Sequence, residues 1–342
     1  MLRSRSRALL VKTLALRLPL NHTLVQSFPQ ISSLSNSLRL QLGIHKGFKR
    51  IVTSELGKSS SVMADRVENL KLLTAVNDHH GGVVVELKAP MDAAAFVQSL
   101  RASIAYWRQQ GKKGVWIKLP IELANLVQPT VEEGFWYHHA EPSYLMLVYW
   151  IPATPHTLPV NASHRVGVGG FVVNSKKEVL VVQEKTGMLQ GSGIWKFPTG
   201  VVDQGEDIFA GAMREVKEET GIDTEFVEVL AFRQSHMSFF EKSDLFFVCM
   251  LRPLSFDIQK QESEIEAAQW MPIEEYAAQP LVQKLDLLKY IVDVGLSKLE
   301  KDYAGFAPFC VNSAFSNDQD YLYLNIRDLK QSSRSGIVSN NH

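Results

Sequence analysis

Residues 200–222 read GVVDQGEDIFAGAMREVKEETGI, and their spacing decides what is built around them. From 207 to 220 the residue types permit a helix. Ile208, Phe209, Ala212, Met213 and Val216 form an apolar stripe, and Gly221 stands where a glycine just past the last turn stops a helix. One face is therefore predicted to bury itself. On another, Glu215, Glu218 and Glu219 fall at i, i+3 and i+4, so that their carboxylates project together. Like charges so placed destabilise an isolated helix by roughly a few tenths of a kcal/mol per pair. A hard divalent cation, Mg²⁺ or Mn²⁺, offsets that repulsion, since such ions take oxygen ligands and bind phosphates through a few carboxylates. A metal held there can bridge a pyrophosphate, stabilise charge on the leaving oxygen and lower the pKa of an attacking water. Three glutamates on one helix, taken alone, equally describe a solvated face.

The complete spacing resembles the Nudix box, G-x5-E-x7-R-E-U-x-E-E-x-G-U with U a bulky aliphatic residue. Gly200, Glu206, Arg214, Glu215, Val216, Glu218, Glu219, Gly221 and Ile222 fill every defined position without insertion or substitution. The resemblance implies a box folded as loop-helix-loop on an α/β/α sandwich, with the helix glutamates binding the metals. It makes Glu215 and Glu219 metal ligands, and Glu218 a third ligand or a water partner and so a catalytic candidate. The resemblance also implies the Gly200 carbonyl as a further contact to the metal. Glu206 and Arg214 are implied to support the box, the acid orienting loop and helix while the arginine braces a glutamate, as a bidentate pair can. Members of the family often add a glutamate from a loop outside the box. Glu262 and Glu264 precede an expected strand at 265–270, and Glu264 is the better catalytic candidate; a plain acidic loop reads the same.

Working outward from the box, strands are predicted at 166–173, 178–183 (after an Asn-Ser-Lys-Lys turn), 195–198, 227–233, 245–252 and 267–271. A Gly-rich loop spans Gly187, Gly191 and Gly193, and a helix is predicted at 280–294. Before residue 152 lies a smaller α/β unit. Its expected elements are a strand at 82–87, a helix at 93–109 spaced by Phe96, Leu100, Ile104 and Trp107 and ended by Gly111, a strand at 114–119, a helix at 121–132 and an apolar run at 144–151. Three prolines in 152–159 make a linker. The fold class is thus α/β throughout: a first unit at 65–151, a linker at 152–160, an α/β/α sandwich at 160–295 and a loose tail at 296–342.

The wider sequence extends the resemblance. HRVGVGGFVVN, KEVLVVQEK, GIWKFPTG, SDLFFVCML and EIEAAQWMP look like the plant Nudix hydrolases grouped with ADP-ribose and NADH pyrophosphatases. GKKGVWIKLP and EGFWYHHAE resemble the domain that precedes the Nudix fold in that group, so the likeness covers about residues 70–310. The array SQPWPFP of bacterial-type NADH enzymes is absent, and RQSHMSFF stands at 233–240. Met237 and Ser238 occupy the positions where other subgroups carry a diagnostic Pro or Tyr. Substrate identity therefore rests on overall similarity.

The chain's formal charge of zero hides an asymmetry. Residues 1–54 hold nine Lys or Arg and no acid, which leaves 27 basic against 36 acidic groups, a net of −9, in the remainder. An acidic body argues against sequence-independent nucleic-acid binding. No stretch approaches the roughly 18 to 20 apolar residues of a membrane span. The basic, Ser- and Leu-rich segment 1–60 reads as a transit peptide, for mitochondrion or chloroplast, with the cytoplasm as fallback if it is only a disordered arm. Cys249 and Cys310 are too few for a disulfide framework.

Other residues invite readings of their own. His138, His139 and Glu141 could be written as a metal site, but neighbours on a strand point to opposite faces, which favours packing or surface roles. Lys112 and Lys113 with Trp116 suit a phosphate grip or, more simply, a solvated turn. Phe239, Phe240, Phe246 and Phe247 could stack on a base, yet their strand alternation suits core. The sequon at Asn161 is expected to be unused.

The resemblance implies metal-dependent hydrolysis of the pyrophosphate bond in a nucleoside diphosphate derivative, ADP-ribose or NADH above others. The competing readings are a Nudix-fold sensor that binds a nucleotide with little turnover, and an interaction module in which the first unit docks a partner. A homodimer is one way to cover that unit's aromatic edge.

Overall fold

The computed structural model describes residues 71–187, 189–237, 239–301, 303–312 and 319–325. The transit segment, Ser238 and the last residues of the tail lie outside them. The chain divides into two compact units, one ending at Asn161 and the other continuing from Ala162.

In the first unit five strands form one sheet in the order β1-β2-β3-β5-β4: β1 (Ala75–Asn77), β2 (Val83–Glu86), β3 (Gly114–Pro120), β4 (Trp136–Glu141) and β5 (Tyr144–Trp150). Strands β2 and β3 run parallel, and the crossover between them is α1 (Ala93–Gln109). Asp92 caps α1 by accepting from the Ala94 and Ala95 amides at 2.9 and 3.1 Å. The stripe Phe96, Leu100, Ile104 and Trp107 is buried in a core with Val115, Ile117, Leu119 and Leu147. The helix expected at 121–132 is instead a 3-10 turn, Ile121–Leu126, followed by α2 (Val127–Glu132). Pro129 accounts for the break, because a continuous helix would drive its ring into the Asn125 carbonyl, whereas in the first turn of α2 its missing N–H costs nothing.

Strand β4 is the strand on which His138, His139 and Glu141 are expected to alternate, but its pairing differs. The β4–β5 register shifts between Tyr137 and His139, so His138 is bulged. The strict alternation that would separate His138 from His139 is lost, and their Nδ1 atoms lie 2.7 Å apart.

The second unit places a mixed four-stranded sheet between helices. Its order is β8-β6-β10-β9, with β6 (His164–Val172), β8 (Thr199–Val201), β9 (Thr224–Ser235) and β10 (Ser243–Pro253). Strands β6 and β10 are parallel, and the other pairs antiparallel. On one face Val168, Val172 and Leu251 pack against Ala212 and Val216 of α3 (Ile208–Thr220). On the other, Phe171, Leu230, Phe246 and Val248 pack with the β7 (Glu178–Glu184) and β11 (Ile265–Pro272) pair, with Tyr276 of α4 (Ile273–Ala278) and with Val292. This is the α/β/α arrangement.

Three expectations for this unit are corrected. Residues 195–198 form no strand: Lys196 makes an isolated bridge to Val182 with backbone bonds of 2.8 and 3.0 Å, and Pro198, lacking an N–H, delays regular pairing until Thr199. The helix at 280–294 is two helices, α5 (Pro280–Lys284) and α6 (Asp286–Glu300), broken where Leu285 is extended. The tail boundary at 295 therefore falls inside α6, and the residues after it are not all loose. The Tyr303 hydroxyl donates to the Leu230 carbonyl at 2.5 Å, Phe306 bridges Val229, and β12 (Ala307–Asn312) pairs with β13 (Gln319–Leu324).

Candidate active site

Helix α3 begins after Asp207 and ends at Gly221, whose φ of +74° only glycine adopts without strain, its amide donating to the Lys217 carbonyl at 2.9 Å. This stop leaves Glu215, Glu218 and Glu219 on the last two turns. They differ sharply in environment: Glu219 is buried, the Glu215 side chain is 14% exposed and that of Glu218 53%.

Arg214 organises the surroundings. Its Nε and Nη2 donate to the two oxygens of Glu206 at 2.7 and 2.9 Å, a fork-on-fork pair, and Nη2 also reaches the Val201 carbonyl at 2.9 Å. Nη1 donates to Glu215 at 2.9 Å and lies 3.4 Å from Glu218. Glu206 in turn accepts from the Asp203 amide at 2.8 Å. One guanidinium thus joins the loop after β8, the strand itself and two of the helix acids. The Glu206 hydrogen bonds hold Arg214 firmly protonated against the cost of its burial. Burial pushes the Glu215 carboxyl above its ordinary value, with Glu219 and Glu218 adding to the rise and Arg214 opposing it.

Gly200 lies directly against Glu215: a β-carbon at this position would overlap the Glu215 carboxylate. Gly200 and the acid are therefore in direct contact, and the donors that α3 offers beside them, Glu215, Glu218 and Glu219, are all oxygen. That chemistry fits a hard divalent cation. Among the described residues no three His, Cys, Asp or Glu side chains already close on one point. Glu215 and Glu218 are turned toward Arg214.

Glu264 lies in the turn before β11, half-buried, and its carbonyl accepts from the Lys185 amide at 2.8 Å. Its loop is tied to the end of α3 by backbone bonds from Gln259 to Thr220 (2.8 Å) and from Gln261 to Glu219 (3.1 Å). Glu262 is exposed and pairs with Lys260 at 2.8 Å.

On the face of the sheet opposite α3 the second unit holds a cavity of about 400 Å³, walled by Gly169, Trp195, Lys196, Thr199, Arg233 and Phe246 among others. No reading of the sequence singled out this set. Thr199 precedes Gly200 in β8, an edge strand, so the cavity wall and the acid-bearing surface lie on opposite faces of that one strand. Lys196 is held by Glu184 at 2.9 Å and donates to Thr199 Oγ1 at 2.7 Å. Gln279 clamps Trp195 from both sides of its backbone, accepting from its amide at 2.9 Å and donating to its carbonyl at 3.2 Å.

The remaining candidates are placed elsewhere. Phe246 and Phe247 are on β10, but Phe239 and Phe240 form a short 3-10 turn and Phe240 is 81% exposed, so the expectation of core from strand alternation fails for that pair. His138 and His139 are joined to each other, to the Pro159 carbonyl and to Tyr144, and Glu141 takes no part in these bonds. Lys112 and Lys113 sit in the turn between α1 and β3, where their amides bond to the Trp107 and Gly81 carbonyls.

Comparison with known proteins matches residues 73–151 to a Nudix hydrolase domain model and residues 163–289 to a NUDIX domain model. Nudix hydrolase 2 of Arabidopsis thaliana is 60% identical over 271 residues, which is 79% of this chain and 97% of the relative. Nudix hydrolase 10 of the same plant is 61% identical over 255 residues, 75% of this chain and 90% of the relative. Among solved structures, a MutT protein from Methanosarcina mazei Go1 aligns with 41% of this chain and 99% of its own at 19% identity and a TM-score of 0.34.

Proposed function

The chain belongs to the Nudix hydrolase family, and from that premise we propose that it cleaves the pyrophosphate bond of ADP-ribose or NADH with Mg²⁺ or Mn²⁺ held by Glu215, Glu219 and Glu218. It is a Nudix pyrophosphohydrolase, and enzymes of this family use divalent metal ions. The observation that carries the metal assignment is the packing of Gly200 against Glu215, which holds that carboxylate against β8 one turn from the buried Glu219.

When bound, the metal supplies charge stabilisation at phosphorus and a more acidic water. Glu215 and Glu219, the two least exposed acids, serve as fixed ligands, because buried carboxylates lose least freedom on binding. Glu218 is half exposed and only loosely held by Arg214, so it is the acid able to turn and take a ligand or water role. Glu206 and Arg214 do not touch substrate in this reading; they fix the angle between β8 and α3. Glu264, on the loop tied to the end of α3, is the candidate for a further proton acceptor. Substrate enters from the cavity beside Thr199, where aromatic walls suit a base or nicotinamide ring.

The test is turnover by the purified chain, with each metal, of ADP-ribose, NADH, NAD⁺, coenzyme A, nucleotide sugars and diadenosine polyphosphates. Cleavage of ADP-ribose or NADH at the highest kcat/KM supports the assignment. Binding without turnover of any of them replaces it with a nucleotide sensor.

A further inference from the structure

The wall of the cavity beside β8 carries two cations in different states. Lys196 is compensated, since Glu184 lies 2.9 Å away and both side chains are largely buried. Arg233 has no such partner. Its side chain is half-buried, its Nε has no hydrogen-bond partner, and no carboxylate lies within ion-pair distance of it among the described residues. Its guanidinium stands 5.9 Å from the centre of the Phe246 ring. Burial pushes its pKa below the ordinary arginine value, which Asp244 offsets only from a distance. Arginine nevertheless stays charged. The arrangement is fixed from behind: β-carbons at Gly167 and Gly169 would come within 2.9 and 2.8 Å of the Phe246 ring, so two glycines on β6 make the room that ring needs.

An aromatic-walled cavity ordinarily attracts a cationic ring. Here the cation near Phe246 is supplied by the protein, and the wall keeps a positive charge that no neighbour cancels at contact distance. We propose that Arg233 is a specificity-determining residue that reads the charge of the group attached to the nucleoside diphosphate, admitting a neutral dihydronicotinamide or ribose and disfavouring a cationic nicotinamide. The inference rests on the dinucleotide reading above. Reduced and oxidised dinucleotides share the same pyrophosphate and adenosine, so those contributions cancel in their ratio and the ring charge remains. Two like charges within about 10 Å of each other at an effective dielectric of about 20 change an equilibrium constant by about an order of magnitude or more.

The experiment compares NADH and NAD⁺ on the full chain in two ways: dissociation constants by calorimetry in chelator, and kcat/KM with Mg²⁺, with ADP-ribose as a reference for general affinity. The parent is expected to favour NADH by about tenfold or more. In Arg233→Gln the ratio should collapse to within about threefold as the like-charge contribution disappears, chiefly through improved NAD⁺ binding. Arg233→Lys, which keeps the charge, should restore it. An unchanged ratio in Arg233→Gln, or a parent that binds NAD⁺ as well as NADH, overturns the proposal. If the parent turns over none of the three, the hydrolytic assignment above fails while the ratio of dissociation constants still decides this one.

Discussion

Gly200 at the middle of β8 and Glu215 on α3 are in such close contact that no side chain at 200 is compatible with the observed position of the Glu215 carboxylate. Gly200→Ala must move the acid, the strand or both. The expected result is a loss in kcat of about 10² or more with little change in the far-ultraviolet circular dichroism, since a metal ligand displaced by an ångström loses most of its effect. Near-parental turnover in Gly200→Ala would show that Glu215 has no fixed place in the reaction.

Glu215→Gln and Glu219→Gln should each lower kcat by on the order of 10² or more at saturating Mg²⁺. Stability should move the other way for Glu215. Its native pKa is raised, so the stabilising contribution of this carboxyl is full below the usual carboxylate range and is lost as pH climbs through the raised native value. In chelator at pH 7 the Gln variant should therefore melt higher than the parent, and the difference should vanish on acidification below that range. A lower Tm for the variant at pH 7, measured by calorimetry, would contradict the sign.

Arg214→Lys keeps a positive charge but cannot hold both oxygens of Glu206 and reach Val201 and Glu215 together. Activity should fall about 10- to 100-fold, the range found when groups behind metal ligands are changed. The apparent Mg²⁺ requirement, read from a metal titration of the rate, should rise with it. A variant with normal metal dependence would limit Arg214 to a stability role.

Residues 1–60, basic and without an acid before Glu55, should carry a fluorescent protein into mitochondria or chloroplasts of a plant cell. Microscopy of the fusion decides it. Diffuse cytosolic signal would mean that the segment is not a transit peptide.

The helix α3 was legible from residues alone because apolar stripe, acids and stop glycine all fall within fourteen consecutive positions and one period. The cavity was not, because its walls come from β6, the loop before β8, β9, β10 and the α5–α6 region, joined only by folding. The α5–α6 break escaped notice for a different reason. Leu281, Leu285, Leu288 and Val292 keep helical spacing straight across it, and no Gly or Pro marks Leu285. At His138 a single bulged residue was enough to cancel an argument from strand alternation that is otherwise sound.

Strand β9 is the outermost strand of its sheet, and what lies along its free edge is the chain beyond α6: Phe306 bonded to Val229 in both directions, at 2.8 and 2.9 Å, and Tyr303 bonded to Leu230. A fragment trimmed to the matched domain at 289 would keep all the acids of α3 yet bare that edge, with Phe232 already 59% exposed beside it. Unpaired strand edges recruit copies of themselves. The residues after α6 thus guard that edge, and since Tyr323 of β13 packs on the core beneath α3 and Tyr321 on Phe209, a fragment for crystallisation or assay should keep β12 and β13 as well.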